Sequence, residues 1–96
     1  MHILFIGRDK PGALSVRLEN RPAHVAYLAD NAATIKVAGP YLDEATGEPR
    51  GSMLILETES LEAAKAVLDK DPYAVAGLFA EVEIRPWRWV IGAPTA

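Results

Sequence analysis

Gly51-Ser52-Met53-Leu54-Ile55-Leu56-Glu57-Thr58 is the stretch on which the fold turns. Its near-continuous apolar centre suits a strand buried on both faces, so the sheet that holds it needs cover on either side. Immediately downstream, Ser60-Leu61-Glu62-Ala63 opens a helix, with Ser60 as cap and acidic Glu62 in the first turn. Leu61, Ala64, Val67 and Leu68 give that helix one apolar face. Asp69-Lys70-Asp71-Pro72-Tyr73 ends it, because a residue before proline is pushed out of helical geometry. A short turn or helix from Ala74 to Leu78 then leads into a long last strand, Phe79 to Val90. Pro86 interrupts that strand and sends its end, with Trp87 and Trp89, to an edge or out of the sheet.

Upstream, the polar segment between Leu42 and Gly51, with Thr46-Gly47-Glu48-Pro49, reads as the longest loop. Before it, Ala33 to Tyr41 reads as a strand stopped by Gly39-Pro40. From Ala13 the apolar period is helical: Leu14, Leu18, Val25, Leu28 and Ala32 form one face. Pro22 lacks an N–H and its ring clashes with the Leu18 carbonyl, so the helix is expected to kink or restart, capped by Asn20 or Arg21. Asp9-Lys10-Pro11-Gly12 supplies a turn, and His2 to Gly7 the first strand. The order β, α, β, β, α, β is the ferredoxin-like split βαβ arrangement, an α+β fold with two helices on one face of a four-stranded antiparallel sheet. The second sheet face is left bare, and a symmetric homodimer that pairs two such faces is expected.

Ninety-six residues suit a single domain spanning 1–96. A net charge of -3 with scattered Lys and Arg argues against nucleic acid as a partner. Without cysteine there is no disulfide framework, thiolate zinc site or cysteine nucleophile. The apolar run after Met1 has no basic segment ahead of it and is far too short to span a bilayer, so a soluble, cytoplasmic chain with no membrane partner is expected.

Chemistry centres on Arg21-Pro22-Ala23-His24. Imidazole titrates near neutrality and serves as base or acid at cellular pH. On the helical wheel Arg17, Arg21, His24 and Leu28 follow one another along the edge of the apolar face, where a polar group meets a pocket without being stranded. A carboxylate on one ring nitrogen would fix the tautomer, and Asp71 is the first choice, with Asp69 and Asp30 as alternatives. Ser52 offers a hydroxyl at a pocket rim, without the surroundings of a nucleophile elbow. Gly39 and Pro40 shape the end of a strand and leave room for a ligand; Tyr73 joins them as a binding candidate. Arg17 and Arg21 are placed to orient an anionic or phenolate-like ligand, although solvated helix arginines are the plainer reading. Trp87 and Trp89 are candidates for dimer or ligand contacts. No metal-ligand set, phosphate loop or dinucleotide fingerprint stands out, so no cofactor is expected.

Taken together, Arg21-Pro22-Ala23-His24 with Leu28, Ala38-Gly39-Pro40, Gly51-Ser52, Ser60-Leu61-Glu62-Ala63-Ala64, Asp71-Pro72-Tyr73 and Ala76-Gly77-Leu78 resemble the YCII-related (YciI-like) domain family over nearly the whole chain. The resemblance implies a dimeric α+β barrel, with a pocket in each subunit and a His–Asp pair in acid/base chemistry. Carried over by motif, the pair is His24 and Asp71, with Ser52 nearby. It further implies a lyase, dehydrochlorinase or isomerase type of reaction on a small cyclic or aromatic substrate. Two other readings stay open: a non-catalytic small-molecule-binding or accessory domain, and a monooxygenase of the same fold.

Overall fold

The computed structural model describes residues 1–94. Along the chain it forms β1 (His2–Asp9), α1 (Leu14–Asp30), β2 (Ile35–Leu42), β3 (Pro49–Glu57), α2 (Leu61–Leu68), a single-turn α3 (Pro72–Val75) and β4 (Phe79–Trp87). The strands make one antiparallel sheet in the order β2-β3-β1-β4. This is the ferredoxin-like α+β fold. Strand alternation puts Ile3, Phe5, Leu54 and Leu56 on one face, where they meet Tyr27 of α1 and Ala64 and Leu68 of α2 in the core. In β3, Leu54, Ile55 and Leu56 are all buried, as its unbroken apolar run requires.

Several local readings need correction. Glycine and proline do not stop the strands: β1 runs through Gly7 to Asp9, and β2 through Gly39-Pro40 to Leu42. Gly7 is required by close packing, since a Cβ there would lie 2.7 Å from the Phe79 ring. Pro40 and Pro86 are tolerated because β2 and β4 are the two edge strands, where a missing N–H need not break a ladder on both sides. Trp89 lies beyond the end of β4 and packs edge-to-face on Trp87, with ring centroids 4.8 Å apart. Register with β1 puts Glu81, Glu83 and Arg85 of β4 on the same outer sheet face as Leu4 and Ile6.

α1 departs furthest from expectation. It is one continuous helix from Leu14 to Asp30 with Pro22 inside it, and it does not restart. Leu18 and Val25 are 55% and 51% exposed, whereas Arg17, His24 and Tyr27 are buried. Pro22 is exposed too, so water can take the Leu18 carbonyl that proline leaves without a donor. Buried side chains on both sides of Pro22 hold the two halves in register on the sheet.

Candidate functional site

Between α1 and the helix-facing side of β2 and β3 lies a pocket of about 390 Å³. Arg17, Leu18, Arg21, His24, Val25 and Leu28 of α1 form one wall; Ala38, Gly39, Pro40, Leu42, Pro49, Ser52 and Leu54 form the other. Tyr73, from α3, completes the lining. The register explains the second wall, because Ala38 pairs with Leu54 and Pro40 with Ser52 across β2 and β3. The half-exposed Leu18, Val25 and Leu42 therefore ring a mouth rather than fill a core.

His24, 8% exposed, is part of this lining and is met from behind by Asp71, 1% exposed. His24 Nδ1 lies 2.8 Å from Asp71 Oδ1. A carboxylate at that distance favours the tautomer in which Nδ1–H donates, which leaves the lone pair on Nε2. The sequence places Asp71 there by a local device: Asp71 is the N-cap of α3, and its Oδ1 also accepts from the Tyr73 N–H at 2.9 Å. One carboxylate oxygen thus caps a helix turn and orients the imidazole. Asp69 and Asp30, the alternative acids, make no bond to His24 among the described residues.

A second buried pair stands beside the first. Arg17, 4% exposed, donates from Nε to Asp9 Oδ2 at 2.7 Å and from Nη2 to Asp9 Oδ1 at 2.9 Å. Nη2 also donates to Ser52 Oγ at 2.9 Å. Arg17 is therefore not a solvated helix arginine, and Asp9 is not merely a turn residue. Both follow from β1 extending to Asp9, which pairs with Phe79 of β4 after a register shift between Arg8 and Asp9 and there reaches Arg17 of α1. The Tyr73 ring lies between the two pairs, stacked on the His24 imidazole at 3.9 Å and 14°, with the Arg17 guanidinium 4.7 Å from its centroid. Spacing along α1 shows Arg17 and His24 on one face; only Asp9, read as turn chemistry, gave no signal of its role.

Burial and charge tune this cluster. Burial works to lower the Arg17 pKa, but hydrogen bonding and attraction from Asp9 more than offset it, so the guanidinium is held above its ordinary value. Burial, aided by the Asp71 charge, pushes the Tyr27 phenol up to about 12. Burial also raises Tyr73, against the opposing pull of Arg17 and Arg21. Both phenols therefore remain protonated at neutral pH. Among the described residues no group of three or more His, Cys, Asp or Glu gathers to hold a metal. Trp87 and Trp89 do not line the pocket.

The YCII-related domain model matches residues 1–88. The chain belongs to this family. Protein YciI of Escherichia coli O6:H1 is 37% identical over 97 aligned residues, covering 94% of this chain and 99% of the relative. Among solved structures, the 5-chloro-2-hydroxyhydroquinone dehydrochlorinase TftG of Burkholderia phenoliruptrix AC1100, in complex with 2,5-dihydroxybenzoquinone, superposes with a TM-score of 0.86. It is 40% identical to this YCII-related chain, covering 92% of this chain and 94% of TftG. SnoaB, a cofactor-independent oxygenase from Streptomyces nogalater, superposes at 0.65 over 96% of this chain and 98% of its own, at 14% identity. That likeness is one of fold alone, shared with dimeric α+β barrel proteins. No helix among the described residues is long and apolar enough to cross a membrane.

Proposed function

We propose that the pocket is the active site of a small enzyme in which His24, oriented by Asp71, moves a proton on a small cyclic or aromatic substrate. The observation that carries this reading is the 2.8 Å bond from His24 Nδ1 to buried Asp71, which turns Nε2 of a lining residue into a directed base. In a reaction of the dehydrochlorinase type, Nε2 takes the proton of a ring hydroxyl. The electron pair moves into the ring as a carbonyl forms and is captured by the returned proton at the chlorine-bearing carbon; a second ring hydroxyl then gives up its proton, and chloride leaves that now tetrahedral carbon with its bonding pair as a second carbonyl forms. An isomerisation ends after the first half, with the pair captured by the returned proton at another ring position. Both are redox-neutral, and they ask for an acid and a base but nothing beyond side chains. The 40% identity to TftG, whose substrate is a chlorinated hydroxyhydroquinone, supports the first form. Ser52, Arg21, Gly39, Pro40 and Tyr73 are proposed as the substrate contacts, in a homodimer working in the cytoplasm.

The test is turnover of a panel of hydroxylated and halogenated aromatics by the wild-type chain and by His24→Ala. General acid–base groups typically contribute about 10²- to 10⁴-fold, so a substrate turned over by the wild type is expected to lose that much. Unchanged turnover in His24→Ala would sink the assignment.

A further inference from the structure

Three cationic or potentially cationic side chains line the pocket, Arg17, Arg21 and His24, and no acidic side chain does. Two of the three are already matched from behind. Asp9 grips Arg17 through two hydrogen bonds, and Asp71 holds His24. Arg21 makes no hydrogen bond or ion pair among the described residues, yet it faces the same cavity and its charge reaches the Tyr73 phenol inside it. In a chain of net charge -3, the pocket surface thus presents one unmatched positive group among Leu18, Val25 and Leu28. Apolar walls weaken screening there, so an anion placed against Arg21 gains more than it would on an open surface.

Arg21 and His24 are three residues apart on α1, so their side chains leave the helix about 5 to 6 Å from each other. A single substituted six-membered ring spans that interval, and a pocket of about 390 Å³ is of the size that encloses one small ring. Building on the acid/base reading above, we infer that the pocket selects ring substrates carrying a delocalised oxyanion, and that Arg21 is the residue that selects them. The oxyanion is either a ring hydroxyl ionised through conjugation with a carbonyl or a ring carboxylate. The anionic oxygen sits on the Arg21 guanidinium at the mouth, and the opposite side of the ring is presented to His24 Nε2.

Calorimetric titration of the whole chain tests this with two anions, 2,5-dihydroxybenzoquinone and benzoate, each against its neutral counterpart, the dimethyl ether and the methyl ester. The wild type is expected to bind at least one anion about tenfold or more tightly than its neutral partner, and less tightly as salt is raised. Arg21→Gln should lose about tenfold to a hundredfold for that anion and stay within about twofold for the neutral molecule, with Arg21→Lys between. Which anion responds identifies the source of the charge. Equal affinity for anion and neutral partner, equal weakening of both by Arg21→Gln, or no binding of either anion by the wild type would each overturn the inference. His24→Ala separates it from the acid/base reading. Anion binding that depends on Arg21 without any His24-dependent turnover would overturn only the latter. His24-dependent turnover with no Arg21 effect would overturn only the former.

Discussion

Tyr73 gathers the site at the scale of single residues, because the Arg17–Asp9 and His24–Asp71 pairs flank its ring. Arg17 and His24 each lie against an acid whose side chain is itself buried, and each acid sits at the end of an element: Asp9 at the end of β1 and Asp71 at the start of α3. A buried charge deprived of its partner is costly, whereas removing both charges together is often close to neutral. Arg17→Met is therefore expected to lower unfolding free energy by about 3 to 5 kcal/mol, and Arg17→Met combined with Asp9→Leu to recover much of that loss. Urea denaturation of the two variants checks it; a double variant no more stable than the single would show that Arg17 acts through Tyr73 and Ser52 rather than through Asp9.

Among the elements, α1 shows how packing overrides a local rule. Proline in a helix interior costs about 3 kcal/mol relative to alanine, partly offset because proline also restricts the unfolded chain. Pro22 nonetheless leaves α1 unbroken, since the buried Arg17 before it and His24 and Tyr27 after it tie both halves to the same layer. Pro22→Ala restores a donor to the Leu18 carbonyl and is expected to raise stability by about 1 to 3 kcal/mol, read as a higher urea midpoint. A lower midpoint would mean that the path of α1 depends on the proline. The helix also accounts for a misread face: Leu18 and Val25 keep the helical period, but of a stripe that rims the pocket instead of the core.

At the scale of the whole molecule, the sheet face away from the helices carries Leu4, Ile6, Val37, Met53 and Ile55 at its centre, with Glu81, Glu83 and Arg85 along the β4 side. An apolar centre beside a charged margin is the anatomy of an interface. The proposed homodimer uses this face, and light scattering at micromolar concentration should give twice the chain mass for the wild type. Ile6→Lys would place a charge at the centre of the face and is expected to yield a monomer; an unchanged dimer would move the interface elsewhere.

The order of strands and helices, and with it the ferredoxin-like sheet, could be read from local patterns: an unbroken apolar run for β3, Ser60 as the cap of α2, and Asp71 before Pro72. The Ser60 cap is a contact over three residues, its Oγ accepting from the Ala63 N–H at 3.1 Å, and such contacts depend on the chain alone. His24 stood out by its chemistry and its place on a helical wheel. Period and propensity cannot tell a stripe that lines a cavity from one that lines a core, since both ask for the same spacing. Nor do they assign a partner to Arg17, which is separated from Ser52 by 35 residues and meets Asp9 only once β1 and α1 are packed. The element order and the candidate base were written in local sequence; the walls of the pocket and the pairing of its buried charges were decided by the tertiary packing, which alone brings distant backbone segments within hydrogen-bonding reach.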